Sequence, residues 1–115
     1  MLEKGKTYYL AHPLTTAGDV GENYSKEREC YKRLKELPEF PAFGLIRPLI
    51  CLPDVRYSQT NRESAMSRCM GLMNAADVLI LCPGWRDSRG CYDEYCYALG
   101  RDMEIIEFER IFSND

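Results

Sequence analysis

Histidine and tryptophan are scarce in this chain: His12 and Trp85 are the only ones in 115 residues. The six cysteines, Cys30, Cys51, Cys69, Cys82, Cys91 and Cys96, form no Cys-x-x-Cys pair. Zinc centres need Cys and His clustered at short spacings, so no metal site is expected, and nothing in the composition calls for another cofactor. No apolar run reaches the length of a membrane span. The N-terminal Met-Leu-Glu-Lys-Gly-Lys has no apolar core of the kind a secretory signal carries. A cytoplasmic protein with no membrane partner is therefore expected, and its cysteines are read as free thiols serving as small core residues rather than disulfides. Basic clusters are also missing, and the net charge is −3. That argues against a nucleic-acid polymer as partner. There are no repeats, linkers or low-complexity segments, so residues 1–115 read as a single domain.

What is present is organised around Asp77 to Gly100. Val78 to Cys82 is an unbroken apolar run, the pattern of a strand buried on both faces. Pro83 and Gly84 break it. A helix is expected from Ser88, with Cys91, Tyr95, Ala98 and Leu99 on its apolar side and Gly100 at its end. This is strand, loop, helix, with the loop at the carboxyl end of a central strand, where open α/β sheets bind ligands. Glu94 sits on the rim of the apolar stripe. Helical side chains lean toward the N-terminus, so its carboxylate points over Gly90, where a missing side chain leaves room for a ligand. Ser88 either caps the helix or offers its hydroxyl to the same ligand. The bland alternative is a capped surface helix with a solvated glutamate.

Elsewhere, Thr7 to Ala11 reads as a first strand. A helix follows a loop ending near Asp19, with Val20, Tyr24, Tyr31 and Leu34 at helical spacing and Pro38 as the stop. Asn23 and Glu27 read as part of a solvated helix start. Phe43 to Leu52 reads as a strand that Pro48 shortens or confines to an edge. Asp54 to Thr60 is a polar loop. A helix from about Asn61 carries Ala65, Met66, Cys69, Met70, Met73 and Ala76 on one side. Met103 to Phe108 gives a last strand, with a tail of no clear pattern behind it. Strands and helices alternate four times, which favours an α/β three-layer sandwich with helices on both faces of a parallel sheet of four (or five) strands. The order 2-1-3-4 is the most economical. It sets the loops after Ala11 and Cys82 across one cleft, where Tyr9, His12, Ser88 and Glu94 can meet. Met- and Tyr-rich helix faces suggest a homo-oligomer.

Three stretches in order, Tyr8-Tyr-Leu-Ala-His-Pro-Leu14, Ala76-Asp-Val-Leu-Ile-Leu-Cys-Pro-Gly-Trp85, and Ser88-x-Gly90-x-x-x-Glu94 with Ala98-Leu99-Gly100 behind it, resemble the nucleoside 2-deoxyribosyltransferase-like superfamily. The resemblance is to its short bacterial and phage branch, in which Pro-Gly-Trp precedes Ser-x-Gly, and it spans nearly the whole chain. It implies a flavodoxin- or Rossmann-like oligomer that acts on a nucleoside or nucleotide. The implied activity is an N-glycosidase or 2-deoxyribosyltransferase in which Glu94 attacks the anomeric carbon. Tyr9 then orients the glutamate, and Ser88 touches sugar or phosphate. The chemistry suits a carboxylate, because breaking an N-glycosidic bond builds positive charge at that carbon.

The chain departs from the family pattern twice. Eight residues before Asp77, where characterised members carry an aspartate that handles the proton of the leaving base, stands Cys69. Asp77 opens its strand far from the cleft, which leaves Asp87, beside Ser88, as the candidate replacement. A family glycine after the first strand is His12 here, which either fills that space or binds the ligand itself. Gly84 and Trp85 belong to the same loop. Trp85 either stacks on a nucleobase or packs on Tyr92 or a neighbouring subunit. Arg86 and Arg89 flank Ser88 and either pair with a phosphate or are ordinary solvated surface arginines. The alternative to an enzyme is a non-catalytic nucleotide-binding or sensing module that uses the same cleft.

Overall fold

In the computed structural model, residues 2–14, 20–40, 42–51 and 62–113 are described. Four strands, β1 (Thr7–Ala11), β2 (Gly44–Ile46), β3 (Val78–Leu81) and β4 (Glu104–Glu107), form one sheet in the order β2-β1-β3-β4. Every pairing is parallel, with Tyr9 opposite Ile46 and Leu79, and Leu79 opposite Ile105. The helices are α1 (Val20–Lys35), α2 (Pro48–Cys51), α3 (Arg62–Met73), α4 (Arg89–Gly100) and α5 (Phe108–Ile111). This is the α/β three-layer fold and strand order expected from the alternation of elements.

β1 and β3 are buried on both faces, which is why they read as continuous apolar runs. Alternation along them divides the core in two. Tyr8, Leu10, Val78, Ile80 and Cys82 pack on one side with Cys30 and Leu34 of α1 and with Phe108 and Ile111 of α5. Tyr9, Ala11, Leu79 and Leu81 pack on the other with Cys69 and Met73 of α3 and with Cys91 and Ala98 of α4. The five free cysteines among the described residues include four that are buried, in keeping with their expected use as small core residues.

Three boundaries differ from the sequence reading. β2 has only three residues and lies at the sheet edge, and Pro48 opens α2 instead of sitting in a strand. Proline suits a first helical position because its missing N–H has no partner to lose there. The apolar run Phe43 to Leu52 therefore divides into a short strand and a helical turn. At the C-terminal end, Phe108 begins α5 as a buried residue, so the segment after β4 is partly helical. The expected polar loop Asp54 to Thr60, the expected strand end at Leu52, the expected helix start at Asn61 and residues 15–19 of the first loop lie outside the described residues.

The largest correction concerns α1. Its buried stripe is Asn23, Glu27, Cys30 and Leu34, while Tyr24 and Tyr31 are half-buried flankers. The side chain of Val20 lies outside the described residues. Asn23 donates from Nδ2 to the Leu14 carbonyl at 2.7 Å, which fixes the chain just after β1. Glu27 is fully buried and takes both prongs of Arg47, Nη2 to Oε1 at 2.7 Å and Nε to Oε2 at 3.0 Å. The Arg47 guanidinium also lies 3.9 Å from the centre of the Tyr31 ring. A bidentate pair satisfies several lone pairs and donors at once, which is what makes a buried carboxylate tolerable. Glu27 thus ties α1 to the end of the edge strand and is not solvated.

Candidate functional site

The site begins at the carboxyl ends of β1 and β3. Gly84 has φ 86°, in the left-handed region, and turns the chain from β3 into a single 3₁₀ turn, Trp85–Asp87. A Cβ added at Gly84 would stand 3.6 Å from Cγ of Pro13, so the loops after β1 and β3 do face each other. Ser88 follows with extended backbone, and its Oγ accepts from the Cys91 N–H at 3.3 Å, an N-cap for α4. Of its two possible roles, capping is the one its hydroxyl performs in this structure. Gly90 is half-buried in the first turn of α4.

That cap aims α4 so that Glu94 drops onto β1. Glu94 is 5% exposed, and the Tyr9 hydroxyl donates to its Oε2. Tyr9 has no exposed surface at all. Burial raises the Glu94 carboxyl to about 7; the hydrogen bond from Tyr9 opposes the rise, and the charge of Asp93 adds to it. Burial and then the Glu94 charge raise Tyr9 well above the ordinary phenol range. Cys69, from α3, packs in the same buried cluster as Tyr9, and burial followed by the Glu94 charge pushes its thiol up to about 11. Cys91 is raised further still, first by burial and then by Glu94, with the Ser88 hydroxyl working the other way. The result is one carboxyl poised near neutrality among groups that keep their protons.

The other expected members are arranged differently. His12 is buried, and its Nδ1 lies 2.7 Å from the Pro13 carbonyl, which can only accept, so that nitrogen carries the hydrogen. The ring is engaged with Cys30 of α1, on the opposite side of the sheet from Glu94. The expected meeting of four residues is therefore Tyr9 with Glu94, and Ser88 through Cys91, with His12 apart. Hydrogen bonding from Cys82, and then from His12, holds the Cys30 thiol below its ordinary range against the effect of burial. Cys82 itself is pushed well up, chiefly by burial.

Trp85 is buried at 8% exposure, stacks on Tyr92 with ring centres 6.4 Å apart, and donates from Nε1 to Glu107 at 3.2 Å. Packing on Tyr92 is thus the arrangement it adopts. Asp87 is exposed in the 3₁₀ turn. Asp77 accepts the Thr7 N–H at 2.8 Å, at the opposite end of the strands from Glu94, as its position in the sequence implied. Arg86 and Arg89 are both exposed, and Arg86 lies 5.1 Å over the Trp85 ring. Two shallow grooves, of about 350 and 690 Å³, run beside β4 and the Trp85 turn, and Glu94 lines neither.

Sequence reasoning missed Asn23 and Glu27, because it followed apolar positions only. The signal was their spacing: 23, 27, 30 and 34 form a regular helical stripe once polar members are admitted. Among the described residues no group of three or more His, Cys, Asp or Glu side chains is arranged to hold a metal ion. No helix among them is long and apolar enough to cross a membrane.

No curated protein and no solved structure matches this chain. A family model described as Domain of unknown function (DUF4406) matches residues 6–107. That span takes in all four strands together with Tyr9, Ser88 and Glu94, and the chain belongs to the DUF4406 family.

Proposed function

We propose that the protein cleaves an N-glycosidic bond of a nucleoside or nucleotide, as a glycosidase or a 2-deoxyribosyltransferase, with Glu94 as nucleophile. The observation that carries this reading is the buried Tyr9–Glu94 hydrogen bond, which joins the middle of the central strand β1 to α4. A carboxyl near 7 is ionised in about half the molecules at neutral pH, the range in which a catalytic carboxylate works best. The Tyr9 hydroxyl fixes which oxygen is free to attack. Glu94 approaches the anomeric carbon from one face as the base leaves from the other. Water or an acceptor base then attacks the glycosyl ester, so configuration is retained. Ser88 keeps the first turn of α4 in place, and the backbone N–H groups of that turn suit an anionic part of the ligand. A homo-oligomer belongs to the same reading: Tyr92 and Leu99, the large apolar side chains left 49% and 52% exposed among the described residues, share one face of α4.

A second reading, a nucleotide-binding module without turnover, is favoured by Cys69, which retains its proton where the resembling enzymes have an acid. One experiment separates the two. The purified protein and Glu94→Gln are incubated with a panel of nucleosides and 2′-deoxynucleoside monophosphates, and free base is measured by chromatography. Release by the wild type alone supports the enzyme. Thermal stabilisation by a panel member without release supports the binding module.

A further inference from the structure

We propose that the substrate class of this site is a cationic N-glycoside, a sugar joined to a positively charged ring nitrogen as in a pyridinium or N7-alkylated purine nucleoside. This rests on the glycosyl reading of Glu94 and names which bond that carboxylate breaks.

The argument starts from the proton a leaving base needs. A neutral purine or pyrimidine departs as an anion unless an acid protonates it, and a positioned acid contributes about 100-fold or more. Among the described residues, the groups set against Glu94 are the Tyr9 hydroxyl from β1, the Cys69 thiol from α3, and Cys91 and Asp93 from its own helix, while Asp87 is exposed on the 3₁₀ turn. Tyr9 already gives its hydrogen to Glu94. Cys69 is 8% exposed and belongs to the same buried cluster as Tyr9. Its proton is held too tightly to protonate a base at neutral pH. Asp93, half-buried, contributes negative charge.

A cationic ring nitrogen removes the need for an acid. Glu94 forms a bond from its carboxylate oxygen to the anomeric carbon as the carbon–nitrogen bond breaks. The electron pair of that bond moves onto the nitrogen and cancels its positive charge, so the heterocycle leaves neutral. Water then bonds to the anomeric carbon, the ester bond to Glu94 breaks, and the proton of the water goes to solvent. The same substrate answers the electrostatics. Glu27 is buried with a guanidinium beside it, whereas Glu94 is buried against the Tyr9 hydroxyl with the negative charge of Asp93 nearby. A positively charged ring next to the carboxylate brings the countercharge with it and favours the ionised, nucleophilic form.

The test uses pairs that differ in charge. Wild-type protein and Glu94→Gln are given guanosine and 7-methylguanosine, the 2′-deoxy forms of both, and nicotinamide riboside, with every rate expressed relative to spontaneous hydrolysis. The proposal expects Glu94-dependent release from the cationic members, with acceleration exceeding that of the neutral members by about 100-fold. Cys69→Asp is expected to narrow the gap by raising release from neutral nucleosides; if that variant does not fold, the wild-type comparison decides alone. Equal acceleration of neutral and cationic members overturns the proposal and leaves the glycosidase intact. No Glu94-dependent release from any member overturns both.

Discussion

Among the described residues two glutamates lie buried, one on each side of the sheet. Glu27 of α1 has no exposed surface and is clamped by Arg47 through two hydrogen bonds of 2.7 and 3.0 Å. Glu94 of α4 is 5% exposed and is held by a phenol. Both are carboxyl groups taken out of water, and they differ in what replaces the water. A guanidinium compensates the charge, so Glu27 serves to join α1 to the edge of the sheet. A hydroxyl compensates it only in part, so burial drives the Glu94 carboxyl up to about 7. Uncompensated burial works against stability, and a carboxyl raised this way is a candidate for chemistry where a fully paired one is a strut.

The largest stability effect is expected where the compensation is complete. Glu27→Gln removes the carboxylate that takes both prongs of Arg47, a guanidinium only 19% exposed. Breaking a buried pair from one side costs about 3 kcal/mol, to be read as a fall in the urea midpoint. Replacing both members, Glu27→Met with Arg47→Met, recovers much of that loss, because two apolar side chains need no partner.

Glu94→Gln should act in the opposite direction. The folded carboxyl is raised above its unfolded value, so the folded state holds the proton more tightly. Its stabilising contribution is complete below about pH 4.5 and is lost as the pH rises through about 7. The glutamine variant does not titrate there. At pH 8 it should exceed the wild type in stability by up to about 3 kcal/mol, and the difference should close on acidification toward pH 4.5. Denaturant melts at both ends of that window check the sign. A variant that loses function while gaining stability would set Glu94 apart from Glu27 in a single experiment.

Tyr9→Phe sharpens the same contrast. The hydrogen bond from Tyr9 is what limits the rise of Glu94, so its loss should push the carboxyl above 7. The ascending limb of any Glu94-dependent activity should then move to higher pH, with a fall of about tenfold at neutrality. Tyr9, Cys69 and Cys91 are all raised and so do not titrate across that limb. A limb that stays in place would mean the phenol does not control the carboxylate. Ser88→Ala should have the smallest effect, a loss of about 1 kcal/mol from the missing N-cap, measured by thermal melting.

The sequence made some of this plain for reasons that can be named. β1 and β3 are continuous apolar runs because both of their faces are covered, and Pro83 and Gly84 mark where the chain leaves the sheet. The motif from Ser88 to Glu94 puts a cap at the start of α4 and its carboxylate about two turns further along. Pro48 was visible too, but a strand edge and a helix start both accept proline, and local pattern does not choose between them. His12 looked like a cleft residue because it ends β1. Alternation along β1 puts position 12 on the side of Tyr8 and Leu10, away from Tyr9, so the side its ring took was already set by the strand period.

By itself, then, the sequence determined the alternation of strands and helices, the parallel order β2-β1-β3-β4, and the stretch from Asp77 to Gly100 on which the site is built. These follow from period, turn chemistry and the geometry of crossovers, all of which act over short spans of chain. Only the tertiary structure decided that Glu27 is a strut and Glu94 a poised carboxyl. The nearest partners of those two groups, Arg47 and Tyr9, lie 20 and 85 residues away in the chain. Whether a buried charge is compensated is a property of what the fold brings beside it, and local pattern does not carry that information.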